Sequence, residues 1–163
     1  MDAVLTSLAD LMDKPGATLA PQFQTYRAAV DEFASAEKSV SSHAATMDSQ
    51  GKAYFKQWDT ELAKIQNDAL QTRSTNRRNA MSARFEKVKA SYAEATALCA
   101  PIMSNLKDIR IALATDLTTS GLNSIRSVAG KANNSLPKLR ATYASLSAEY
   151  KDLGVALSAA TVE

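Results

Sequence analysis

The stretch MSARFEKVKASYAEATALCAPIMSNLKDIRIAL, residues 81–113, sets Met81, Phe85, Val88, Tyr92, Ala95, Cys99, Ile102, Leu106, Ile109 and Leu113 in one series. The gaps alternate between four and three residues, which is the coiled-coil repeat of about 3.5. A strand changes face at every residue and cannot gather this series on one side. The stretch therefore reads as a long helix with one apolar stripe. It also holds the only cysteine of the chain, two places before Pro101.

Working outward, the same spacing recurs on both sides. Upstream it runs through Phe23, Tyr26, Val30, Phe33, Glu37, Val40, Ala44, Met47, Gly51, Tyr54, Trp58, Leu62 and Ile65. Downstream it runs through Leu122, Ile125, Ala129, Ala132, Leu136, Leu139, Tyr143, Leu146, Tyr150, Leu153 and Leu157. The stripe stops twice. NDALQTRSTNRR (residues 67–78) is polar and offers Asn67, Ser74 and Thr75 as helix caps. TDLTTSGLN (residues 115–123) offers Thr118, Thr119 and Ser120 beside Gly121. Near the start, Pro15-Gly16 marks a turn and Pro21 suits the first turn of a helix. Val4, Leu5, Leu8, Leu11 and Met12 give a short amphipathic helix before that turn.

These signals predict an all-α fold, an elongated antiparallel three-helix coiled-coil bundle with a short N-terminal helix. It forms one domain over residues 1–163, with the short helix at 1–13 and long helices at 21–70, 75–117 and 119–160. Composition agrees. Only five glycines and four prolines in 163 residues leave few turns, hence few and long elements. Gly51 opens a gap in the first long stripe that a large side chain opposite can fill. Glu37 puts a charge in the same stripe, read as a register-setting residue. Pro101 and Pro137 should bend the second and third long helices.

Function is less legible. A net charge of +2 is too small to imply nucleic acid. One cysteine excludes an internal disulfide, and one histidine argues against a zinc or di-iron bundle site. There is no glycine-rich phosphate loop. No catalytic, cofactor or metal residue is assigned, and no cofactor or small-molecule substrate is expected. A turn near residue 71 would bring Cys99 level with His43, the minimal pair for thiol catalysis. Against this, Cys99 sits on the stripe, where a thiol is a small core residue. Arg73, Arg77, Arg78 and Arg84 cluster near the first turn and are the candidate contact for an anionic surface.

From Met47 onward the chain resembles a known family. YFKQWDTEL (Tyr54–Leu62), the turn NDALQTRS, and the ungapped run APIMSNLKDIRIALATDL (Ala100–Leu117) carry the likeness, with Trp58, Glu61, Leu62, Arg73, Ser74, Pro101 and Asp108 at its points of match. They resemble a bacterial family of uncharacterised proteins grouped as a domain of unknown function, whose members are typically exported, often as lipoproteins. The family pattern continues after Leu113 with lysine, histidine and asparagine. Here Ala114, Thr115 and Asp116 stand instead, so any polar contact made there is changed. The resemblance implies a helical bundle in the bacterial cell envelope or periplasm, given a signal removed ahead of Met1; without one, the chain is expected in the cytoplasm. The expected function is that of a non-enzymatic scaffold, spacer or adaptor. The alternative is a lipid-surface coiled coil using the arginine cluster, and the remote one is a Cys/His thiol enzyme. The expected partner is a protein or an anionic membrane surface, not nucleic acid, and the chain is expected as a monomer or homodimer.

Overall fold

The computed structural model of the protein describes residues 1–158. It is all-α, with α1 at Asp2–Asp13, α2 at Ala20–Leu62, α3 at Asp68–Thr115 and α4 at Thr119–Ser158, and no strand among the described residues. The expected end of the last helix at 160 lies outside them. The first long helix stops at Leu62 rather than 70, and the second begins at Asp68 rather than 75. Asn67 is the reason: its Oδ1 accepts the Leu70 N–H at 3.0 Å, so the cap is spent seven residues earlier than Ser74 would spend it. The turn thus occupies residues 63–67 instead of lying near 71. Thr118 caps α4 as expected, accepting the Gly121 N–H at 3.1 Å on Oγ1. Glycine is required next to it, because a Cβ on Gly121 would stand 2.0 Å from the Asp116 carbonyl oxygen.

Internal packing divides the described residues into two compact units, Met1–Val40 with Ala95–Thr142, and Ser41–Glu94 with 143–158. The first unit combines α1 with segments of the three long helices. Its core is the expected stripes: Phe23, Tyr26, Val30 and Phe33 of α2, Ala95 to Leu113 of α3, and Leu122 to Leu139 of α4 are all buried at their stripe positions. Val4, Leu8 and Leu11 of α1 join that core with at most 1% of their surface exposed. α1 is tied to α4 by the Asp2–Arg140 ion pair and to α2 by Gln22. The Gln22 amide donates to the carbonyls of Asp10 (3.0 Å) and Lys14 (2.9 Å), and its Oε1 accepts the Gly16 N–H at 2.8 Å. The Asp10 carbonyl also accepts the Lys14 N–H at 3.2 Å, so Gln22 adds a second donor there and supplies partners to Lys14 and Gly16 in the turn. Tyr26 is fully buried and donates its hydroxyl to the Leu106 carbonyl at 2.9 Å. Burial pushes this phenol well above its usual range, while the Arg110 cation pulls slightly the other way.

The second unit is built from three helical segments. Gly51 meets Phe85 in it as the sequence suggests: a Cβ at Gly51 would lie 2.2 Å from Phe85 Cζ. Phe85 packs edge-on against Phe55 with ring centroids 5.6 Å apart, so its ring has nowhere to retreat. Here the α2 stripe departs from expectation. Phe55 is buried at 8% exposure while Tyr54, the stripe residue, is 43% exposed. The seam runs Gly51, Phe55, Trp58, Leu62: Trp58 and Leu62 stay half-buried at their stripe places, and only the order of the three- and four-residue gaps changes. Trp58 Nε1 donates to Ser74 Oγ at 3.2 Å, giving Ser74 a cross-helix role in place of a cap.

Charged side chains tie this unit at its surface. Asp48 faces Lys52 at 2.5 Å and Lys89 at 3.0 Å. Those two ammonium groups, Lys52 first, hold its carboxyl below the usual carboxylate range. Glu149 is likewise lowered, by the Ser91 hydroxyl and then by Lys87 at 3.1 Å. α3 and α4 continue through Pro101 and Pro137 as single helices.

Two outcomes follow from the second unit. Gly51→Ala should destabilise the protein by roughly 1–3 kcal/mol through overpacking against Phe85. In a Phe85→Leu background the same change should become neutral or stabilising, because the helix then keeps the propensity gain of about 1 kcal/mol. Denaturant titration of the four-variant cycle measures this, and additive effects would rule the contact out as the cause. The second outcome concerns acid. Lowered folded-state values mean that Asp48 and Glu149 contribute stability above their ordinary values of 3.8 and 4.5 and lose it as pH falls through the lower folded ones. Melting temperature should therefore drop on acidification below about 4.5, and Asp48→Asn with Glu149→Gln should melt lower at neutral pH with a flatter acid limb.

Candidate functional site

The four arginines of the basic cluster do not act alike. α3 carries Arg73, Arg77 and Arg84 at offsets of four and seven residues, which sets them on one stripe of the helix. No ion pair engages these three among the described residues. Arg78 lies about a quarter-turn away and is committed elsewhere. Its guanidinium grips the Asp59 carboxylate with two hydrogen bonds of 2.8 and 2.9 Å and lies 5.3 Å above the Phe55 ring. That makes Arg78 a clamp between α2 and α3 rather than a surface contact. Lys87 and Lys89 are also engaged, with Glu149 and with Asp48 and Glu86. Arg84 opens onto a cleft of about 410 Å³ that it shares with Lys87, Glu149 and Asp152, so its field is partly offset. Arg73 is exposed and Arg77 half-buried, and neither lines that cleft.

On the α2–α4 side of the second unit runs an open apolar groove of about 650 Å³. Phe55 and Phe85 form its floor, Gly51 and Gly154 thin its walls, and Tyr54 and Tyr150, each 43% exposed, stand along its edges. None of the twelve lining residues is Asp, Glu, Lys or Arg. The sequence reading missed this feature. The signal was present in the two stripe tyrosines, which periodicity assigns to a seam and the structure leaves half in solvent.

The two members of the thiol pair fall in different units. Cys99 lies in the core of the first unit at 1% exposure, whereas His43 belongs to the second unit and borders the groove. Among the described residues no group of three His, Cys, Asp or Glu side chains is placed to hold a metal ion, and no helix is long and apolar enough to cross a membrane. A bulky thiol reagent should label Cys99 slowly in the native protein and rapidly in denaturant. Fast native labelling that slows on His43→Ala would restore the Cys/His pair.

No curated protein matches the chain, and no solved structure does. A family model described as "Protein of unknown function (DUF2959)" matches residues 1–149, a longer span than the run from Met47 that carries the likeness by eye. With nearly all of the four helices inside that match, the chain belongs to this family.

Proposed function

We propose that the protein is a non-enzymatic helical scaffold or adaptor of the bacterial cell envelope, presenting helix faces to a macromolecular partner. One observation carries this reading. Several charged and polar side chains hold helices together, while two helix faces of the second unit stay open. Arg78 clamps Asp59, Lys89 bridges Asp48 and Glu86, and the Tyr26 hydroxyl serves the Leu106 carbonyl. What remains exposed is an uncharged apolar groove and a stripe of arginines, features suited to contact rather than to turnover. The envelope assignment rests on the family resemblance.

The arginine stripe favours a second reading, adhesion to an anionic lipid surface. Arg73, Arg77 and Arg84 share one face of α3, and each basic residue near such a surface adds about 1 kcal/mol of attraction. Arg78 contributes little to it, being held by Asp59.

In-cell photocrosslinking separates the readings. A photoreactive residue placed at Arg77 or Tyr54 should yield a discrete protein adduct in the envelope fraction. Absence of any protein adduct at both positions would end the adaptor reading. The lipid reading expects salt-sensitive cosedimentation with anionic vesicles, lost in the Arg73→Gln, Arg77→Gln, Arg84→Gln triple variant and kept in Arg78→Gln. Indifference of the wild-type protein to such vesicles at low salt would end it.

A further inference from the structure

We infer that the α2–α3 turn end of the second unit seats itself in an anionic lipid surface, with Leu70 entering the headgroup–acyl boundary and Arg73 and Arg77 engaging lipid phosphates behind it. The inference rests on the lipid reading above and adds to it an apolar anchor.

Two apolar side chains stand at this end. Leu70, in the first turn of α3, is 57% exposed, and Ile65, in the connecting turn, is half-buried. A lone exposed leucine is ordinary on a protein surface. This one has a basic setting. Arg73, Arg77 and Arg84 all fall within about 60° of Leu70 around the axis of α3, whereas Asp68 lies about 160° away on the opposite face. The other two carboxylates near the turn are occupied, Asp59 by Arg78 at 2.8 Å and Glu61 by Lys64 at 2.7 Å. Over residues 56–78 five cations stand against three carboxylates, so the end as a whole attracts an anionic surface.

Direction and depth favour a bilayer over a protein. Side chains lean toward the N-terminus of their own helix, and α3 begins at the turn, so Leu70, Arg73 and Arg77 all lean toward the turn end. Along α3, Arg73 and Arg77 start about 5 and 10 Å behind Leu70. Their long side chains make up part of that distance, which sets the guanidinium groups at headgroup level when Leu70 reaches the acyl boundary. A short turn with one exposed leucine offers a protein partner little area, whereas a fluid surface closes around it. The turn is already built. The Glu61 carbonyl accepts the Lys64 N–H at 3.1 Å, the Leu62 carbonyl accepts the Ile65 N–H at 3.2 Å, and Asn67 Oδ1 accepts the Leu70 N–H at 3.0 Å. Insertion therefore carries no cost of ordering the chain.

The test is cosedimentation of the full chain, at low salt, with vesicles of equal parts phosphatidylglycerol and phosphatidylcholine. Leu70→Gln should weaken partitioning roughly five- to tenfold, the loss expected when about half of a leucine side chain is no longer taken out of water. Its melting temperature should hold, because the side chain it replaces is exposed. Ile111→Gln, at a site 62% exposed in the first unit, should bind like the wild type. A second readout follows position 70 directly. An environment-sensitive fluorophore on Leu70→Cys should shift to the blue with these vesicles and be quenched by lipids spin-labelled near the headgroup, and burial of Cys99 keeps the attachment selective. Equal partitioning of Leu70→Gln and the wild type, with binding lost in the arginine triple variant, overturns insertion and leaves the lipid reading standing. No binding of the wild type ends both. A fluorophore that ignores the vesicles but shifts with poly-glutamate assigns this end to an acidic protein, and the inference is wrong.

Discussion

The stripe of α3 is the constraint on which the rest depends. From Met81 to Leu113 all but one of its heptad positions are buried, Tyr92 being the half-covered exception. Both units draw on it, Met81 to Tyr92 in one and Ala95 to Leu113 in the other. The stripes of α2 and α4 have to match it wherever they meet it. Where a partner position shrinks, as at Gly51, α3 answers with a large ring at Phe85. Where a partner residue is polar, as at Tyr26, α3 answers with a backbone carbonyl that has a second lone pair to spare. Burial of this series against the stripes of its neighbours supplies hydrophobic stabilisation to both units, and the cross-helix polar contacts act at its edges.

How much of this can be read in the sequence follows from the same physics. Helix type and number are set by a repeat sustained over many turns, so the four helices and the core of the first unit are legible. The boundary between α2 and α3 is not, because Asn67, Ser74 and Thr75 are chemically equivalent caps and only packing chooses among them. Once Asn67 is used, Ser74 is free to accept from Trp58. The exchange of Tyr54 for Phe55 is local: Gly51, Trp58 and Leu62 keep their places in the repeat, and of the two aromatic neighbours at 54 and 55 packing against Phe85 selects Phe55 for burial.

The candidate surfaces were legible to a lesser degree. Clustering of Arg73, Arg77, Arg78 and Arg84 is visible in the sequence, and helical offsets alone put Arg78 apart from the other three. That it clamps Asp59 across the turn depends on where the turn lies, and the turn was the misplaced element. The groove left no motif. It appears only when the exposure of the two stripe tyrosines is compared with their position in the repeat, a comparison that needs the structure.

The distribution of aromatic groups gives the molecule two native optical reporters. Trp58 is the only tryptophan, and it lies in the second unit with its indole N–H on Ser74. Tyr26 is sealed in the first unit and keeps its proton well above the usual phenol range. An unfolded tyrosine ionises near pH 10, so raising the pH past that point favours the unfolded chain, and the tyrosinate band of Tyr26 emerges only as its surroundings open. The other four tyrosines, Tyr54, Tyr92, Tyr143 and Tyr150, lie in the second unit with Trp58, so the first unit is read from the part of the phenolate band that a Tyr26→Phe variant lacks. An alkaline titration followed in both channels distinguishes a single cooperative loss of structure from two separate ones, with no label attached.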